Sequence, residues 1–147
     1  MTFLELADRL AIPCLLAASL IRVGNFFNSE ILGTPSNLPW AVVFARVDNI
    51  PRHPAMLYEA AVYFVVFCVL YIAYWKTAII QFPGRVFGTT LTTCFLACFL
   101  IEFVKENQVP FENRMPWNMG QLMSIPFILV GVYLIYASRR IPRTDGQ

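Results

Sequence analysis

Ile21-Arg22-Val23-Gly24-Asn25-Phe26-Phe27-Asn28-Ser29-Glu30-Ile31-Leu32-Gly33 places one arginine, two asparagines and one glutamate directly after an apolar run that begins at Leu10. Polar groups beside so hydrophobic a segment are unfavourable unless they are paired or used. Arg22, Asn25 and Asn28 are spaced three apart, which puts them near one face of a helix, and Gly24 and Gly33 let other backbone or a ligand approach. Two readings follow from the chemistry. In one, the guanidinium forks onto two phosphate oxygens, the amides add neutral donors, and the carboxylate of Glu30 holds the arginine when no ligand is present. In the other, the stretch is a capped helix end with a snorkelling arginine, of the kind that begins many membrane loops.

Composition decides the class. Hydrophobic residues make up 58% of the 147 and charged residues 14%, too apolar for a soluble domain of this size, so the chain reads as a membrane protein. A formal charge of +2, with no basic run longer than Arg139-Arg140, sets nucleic acid aside as a partner. Cys14, Cys68, Cys94 and Cys98 fall in apolar runs and the only histidine is His53, which argues against a disulfide framework and against a metal site. The cysteines read as small packing residues. Glu5 and Asp8 stand where an export signal carries positive charge, so the first apolar stretch is expected to be a helix rather than a cleaved leader.

Outward from the opening stretch, the expected spans are residues 3–21, 56–75, 86–104 and 119–137, each close to the roughly 20 residues that cross a hydrocarbon core. The expected architecture is an all-α membrane protein, a bundle of about four transmembrane helices in a single membrane domain over residues 1–147, with one long extramembrane or interfacial loop over residues 22–55. Gly33, Pro35, Pro39, Pro51 and Pro54 exclude a long helix from that loop, and residues 40–44 suit a short strand. Trp40 and Phe44 suit either the headgroup zone or a small apolar plug under the loop. Tyr71, Tyr74 and Trp75 form an aromatic belt at the end of the second span. Gly88, Thr89, Thr90, Thr92 and Thr93 give the third the small, hydroxylated surface on which membrane helices pack closely.

Four antiparallel spans bring the end of the first, the start of the second, the end of the third and the start of the fourth to one side of the membrane. Those ends carry Arg22, Asn25, Asn28 and Glu30, then Arg52, His53, Tyr58 and Glu59, then Glu102 and Lys105, then Asn118 and Gln121. Scattered interfacial charges would populate both sides, so the clustering favours a site. His53 has the proton affinity of a general base, but a histidine in a Pro-bracketed turn also serves to bond the backbone. Glu102 and Lys105 can pair with each other at a helix end. The compact Arg139-Arg140-Arg143 tail favours a cytoplasmic C-terminus, which turns the polar cluster to the exterior leaflet.

The opening stretch also resembles the signature of the bacterial prolipoprotein diacylglyceryl transferases, Gly-Arg-x-Gly-Asn-Phe-x-Asn-x-Glu-x-x-Gly, with Ile21 in place of the opening glycine. Further matches follow in the same order: Pro51-Arg52-His53-Pro54 with Leu57-Tyr58-Glu59, then Ile101-Glu102-Phe103, then Met119-Gly120-Gln121-Leu122 with Ser124-Ile125-Pro126. The resemblance runs over residues 7–140 and corresponds to the C-terminal half of the family pattern; the other half, with a His-Gly-Gly motif implicated in catalysis, would precede Met1. Four residues before Glu102, where the family carries a second essential arginine, this chain has Cys98.

The resemblance implies transfer of a diacylglyceryl group from phosphatidylglycerol to the lipobox cysteine of a lipoprotein precursor, the first step of lipoprotein modification. A thioether forms and glycerol phosphate leaves. By resemblance Arg22 is the main phosphate ligand, Asn25 and Asn28 are supporting donors and Glu30 orients the arginine, with Gly33, His53, Tyr58, Glu59 and Glu102 in support. The general base is not assigned. No cofactor or metal is implied. The partners are phosphatidylglycerol, the precursor's signal peptide, membrane lipids and a separately encoded N-terminal half, in a bacterial inner membrane. Two other classes stay open: an inactive fragment that holds anionic headgroups, and a structural membrane-bundle subunit.

Overall fold

The computed structural model describes residues 1–107 and 114–139, and four helices dominate it. They are α1 (Phe3–Asn28), α2 (Ala55–Lys76), α3 (Arg85–Ile101, continued by a 3-10 turn over Glu102–Val104) and α4 (Met119–Ser138). Each is long and apolar enough to cross a membrane. The chain is an all-α membrane bundle. Arg140 and Arg143, and Glu112, lie outside the described residues.

Helix α1 begins in a capping box, with the Thr2 hydroxyl accepting from the Glu5 amide and the Glu5 carboxylate accepting from the Thr2 amide. It runs on to Asn28, although the polar residues after Ile21 suggest that the span stops there. The reason is local: nothing from Arg22 to Asn28 breaks a helix, and Arg22 is paired within the bundle. Left-handed backbone at Ser29 (φ 57) and Ile31 (φ 57) then turns the chain back over the helix end.

The core between α1, α2 and α3 is Ala11, Ile12, Leu15, Tyr63, Leu70 and Val86. The buried Ser19 hydroxyl donates to the Ala60 carbonyl at 2.9 Å, so α1 and α2 are tied by a polar contact where lipid offers none. Helices α3 and α4 meet through glycines: a β-carbon on Gly88 would stand 2.8 Å from the Gly131 carbonyl oxygen, and one on Gly131 would collide with Thr92. Three threonine hydroxyls of α3 turn back to their own helix, Thr89 to the Arg85 carbonyl, Thr92 to that of Gly88 and Thr93 to that of Thr89, whereas the buried Thr90 hydroxyl has no hydrogen-bond partner among the described residues. Side chains such as Phe64, Val65, Val69, Leu129, Val130 and Tyr133 stay exposed around the bundle, as lipid-facing side chains do.

Asp8 has a role that its position near the N-terminus does not announce. It is 1% exposed and accepts from the amides of Gly84 and Phe87, both at 2.7 Å, so a carboxylate on α1 caps the start of α3.

The segment between α1 and α2 holds a two-stranded antiparallel sheet, β1 (Val42–Val43) with β2 (Pro51–Arg52). Phe44 is buried and packs edge-on against Phe26 at 5.7 Å, so it is a plug. Trp40 is exposed.

Candidate functional site

The four helix ends named above converge. Glu59, on the second turn of α2, is fully buried with 0% exposure, and two cations reach it. Lys105 Nζ donates to Oε1 at 2.6 Å, and Arg22 Nε stands 2.7 Å from Oε2. Lys105 also lies 3.1 Å from Glu102 Oε2. Burial taken alone lowers the Lys105 pKa, but the hydrogen bond and charge of Glu59, with the charge of Glu102, hold it above its usual value. Arg22, Lys105, Glu59 and Glu102 thus form a neutral four-charge cluster at one end of the bundle.

Asn25 extends the cluster toward Glu30. With its amide oriented to satisfy both neighbours, it accepts from Arg22 Nη1 at 3.3 Å and donates to Glu30 Oε2 at 3.2 Å. The carboxylate lying directly on the arginine is therefore Glu59, while Glu30 acts on it through Asn25. Asn28, at the exposed end of α1, makes no side-chain hydrogen bond among the described residues.

Below Arg22 opens a cleft of about 400 Å³ lined by Cys14, Leu15, Ala18, Ile21, Tyr63, Thr90 and Cys94. Its walls are mostly apolar and, among the described residues, its one cation is Arg22, whose side chain is 24% exposed. Cys98 does not contribute a charge here; its sulfur lies 2.8 Å from the Tyr63 hydroxyl. All four cysteines are free.

The segment after α1 is laid against the end of α3. Gly33 N donates to the His53 carbonyl at 3.1 Å, Thr34 N to that of Val104 at 2.8 Å, and Glu106 N to that of Leu32 at 3.1 Å. A β-carbon at Gly33 would collide with His53, so this position requires glycine for close backbone approach. Arg52, buried at 6% exposure, fastens the arrangement. It donates to Asp48 at 2.6 Å, to Glu106 at 2.9 Å and to the Gly33 carbonyl at 3.3 Å. The hydrogen bond from Arg52 holds the Asp48 carboxyl below the usual carboxylate range.

His53 and Tyr58 form a separate pair. Trp40 Nε1 donates to the Tyr58 hydroxyl at 2.8 Å, and the same hydroxyl is hydrogen-bonded to His53 Nδ1, 3.1 Å away. At Gly120 a β-carbon would come within 2.7 Å of the Glu102 carboxyl carbon, so glycine in the first turn of α4 makes room for that carboxylate at the positive end of the helix.

Of the residues singled out by sequence, the structure gathers Arg22, Asn25, Glu30, Glu59 and Glu102 into one network. Gly33 supports it from the backbone, His53 and Tyr58 stand beside it, and Asn28 is left outside. Lys105 joins two carboxylates rather than Glu102 alone. The clasp formed by Arg52 is a feature that sequence spacing does not reveal, because Glu106 is 54 residues away.

Comparison with known proteins follows the same lines. The profile of the family described as prolipoprotein diacylglyceryl transferase matches residues 1–137. The phosphatidylglycerol–prolipoprotein diacylglyceryl transferase of Chloroherpeton thalassium is 49% identical over 131 residues, covering 89% of this chain and 49% of the relative. Those of Bacteroides fragilis (45% over 136 residues; 92% of this chain, 49% of the relative) and Tolumonas auensis (46% over 138 residues; 94% and 53%) are similar to it in the same way. The chain spans about half the length of the curated relatives it matches. No solved structure matches it.

Proposed function

We propose, from the premise that this chain belongs to the prolipoprotein diacylglyceryl transferase family, that it takes part in moving the diacylglyceryl group of phosphatidylglycerol to the cysteine thiol of a prolipoprotein. The observation that carries the reading is the position of Arg22, a partly exposed guanidinium at the mouth of an apolar cleft, steadied by Asn25. That is the arrangement a phospholipid needs: a bidentate donor for the phosphate and apolar walls for the acyl chains.

In the reaction the sulfur attacks the glyceryl carbon and the carbon–oxygen bond to phosphate breaks. The thiol gives up its proton and glycerol phosphate departs with the bonding pair. Negative charge grows on the leaving oxygen, so a cation fixed beside the phosphate lowers the barrier. Arg22 is the residue placed to do this. Asn25 sets its orientation and joins it to Glu30. The substrates are phosphatidylglycerol and a precursor's signal peptide, and the remaining half of the relatives' length completes the enzyme. The membrane is the bacterial inner membrane, with the C-terminus cytoplasmic and the polar cluster exterior. A reporter fused at Arg139 that reads as exterior would overturn that orientation.

Cys98 favours a second reading, in which the chain binds anionic headgroups without transferring the lipid. Paired with the Tyr63 hydroxyl, it puts a thiol where the family pattern has an arginine. One experiment separates these. Phosphatidylglycerol binding in nanodiscs and thioether formation on a prolipoprotein peptide are measured with the N-terminal half of a relative supplied. Arg22→Ala should weaken lipid binding roughly tenfold, as for loss of a desolvated charge-assisted pair. Exposed Arg114→Ala should not. Equal effects of the two substitutions would sink both readings, whereas binding without thioether would sink only the transfer.

A further inference from the structure

Glu59 is not held in the same way by its two cations. Lys105 Nζ makes a directed hydrogen bond to Oε1, and its side chain is itself buried at 8% exposure. Arg22 Nε is as close to Oε2, but Oε2 accepts no hydrogen bond among the described residues, so the N–H is not aimed at it. A charge contact without a directed hydrogen bond is the weaker of the two. The guanidinium is thus tethered from the side while its outer face remains open to the cleft.

We infer that Lys105 is a positioning residue for the anion site: by acting as the principal counter-ion of Glu59 it keeps that carboxylate from closing on Arg22, so that the guanidinium stays available to a phosphate. The inference rests on the reading of Arg22 as the ligand of a phospholipid phosphate. Its physical basis is the burial of Glu59. A carboxylate with no exposed surface must keep a cation. If Lys105 is removed, the cation left within reach is Arg22, and a full pairing with it competes directly with phosphate. Lys105 is in turn fixed through its backbone. It bridges to Gly33, its neighbours exchange hydrogen bonds with Leu32 and Thr34, and Arg52 holds the next residue, Glu106. The second glycine of the opening stretch therefore serves the arginine from a distance, by delivering Lys105.

The test compares phosphatidylglycerol binding by the full chain in phosphatidylcholine nanodiscs across five variants. Lys105→Met should bind roughly tenfold more weakly, the scale of coupling between neighbouring charged groups. Lys105→Arg should stay within about twofold of wild type, because the counter-ion is kept. Lys105→Met combined with Glu59→Gln should return to within about twofold of wild type, since no carboxylate then competes for Arg22. A purely structural lysine would not be rescued by neutralising its partner. Glu59→Gln alone, which does not depend on Lys105→Met folding, should bind at least as tightly as wild type. Wild-type affinity in Lys105→Met, no rescue in the double variant, or a roughly tenfold loss in Glu59→Gln would each overturn the inference. Arg22→Ala serves as the reference. If it binds as wild type does, the phosphate reading fails and this inference with it; if it is weak while Lys105→Met is not, only the role of Lys105 fails.

Discussion

Replacing Asp8 tests whether the bundle is assembled as described, independently of any ligand. Its carboxylate is 1% exposed and accepts two short hydrogen bonds, from the amides of Gly84 and Phe87. Alanine removes both acceptors and leaves two backbone donors at the start of α3 with nothing to bond. A hydrogen bond to a charged group contributes about 1.5–3 kcal/mol, so losing two destabilises by about 3–6 kcal/mol. Asparagine preserves the shape and one acceptor oxygen, and about half of that loss is expected. For a chain of this length the alanine variant should melt about 10 °C lower in detergent, read by tryptophan fluorescence or scanning calorimetry. Arg9→Ala is the control, because Arg9 is exposed one residue further along the same helix; its change should be about 0.5 kcal/mol or less. An Asp8→Ala protein melting within about 2 °C of wild type would refute the cap, since a buried two-donor contact cannot be lost at so small a cost.

Two other outcomes are expected. Cys98→Arg puts a guanidinium one turn before Glu102 on α3, a second cation beside that of Arg22. In the transfer assay with the N-terminal half of a relative supplied, it should raise thioether formation by on the order of a hundredfold, the scale of one transition-state donor. Cys98→Ser, which keeps a hydrogen-bonding partner for Tyr63 but adds no charge, should not; a gain with serine, or none with arginine while lipid binding is retained, refutes the idea. The second concerns the Arg52 clasp. The Asp48 carboxyl titrates below its ordinary value because Arg52 hydrogen-bonds its charged form, so its stabilising contribution is present above the ordinary carboxylate range and is lost as pH falls through the lowered value. Wild type should therefore melt above Asp48→Asn at pH 6, and the gap should narrow progressively as the pH is lowered below about 4. A gap that is unchanged or wider at low pH contradicts the assignment.

The spans were legible because hydrophobicity is a property of each stretch by itself, and so was the gathering of the polar helix ends at one end of the bundle. The face shared by Arg22 and Asn25 could be read from their spacing. What could not be read was pairing across sequence. Nothing around Asp8 points to Gly84, 76 residues on, and nothing around Arg52 points to Glu106. The end of α1, seven residues beyond the expected boundary at Ile21, has the same origin. An arginine after an apolar run looks like a boundary until the carboxylate that lets it stay inside, Glu59 on the next helix, is known. Glu30 drew attention as the acid nearest in sequence, yet the acid nearest in space belongs to α2.

That contrast also explains why the opening stretch is built as it is. Its first half is helical and does the electrostatic work, with Arg22 facing the cleft and Asn25 joining it to Glu30. Its second half is a reversal: two left-handed residues, Ser29 and Ile31, carry the chain off the helix so that Gly33 reaches the end of α3. A side chain at Gly33 would push this segment away from His53 and from Val104. The backbone that presents Lys105 would move with it, and with Lys105 would go the partner that shares Glu59. The distance between arginine and glycine in the stretch is thus set by the need to end a helix, turn, and meet a second helix end. On this account Gly33→Ala, although it alters no charge, should loosen Lys105 from Glu59 and weaken phosphatidylglycerol binding in the same direction as Lys105→Met.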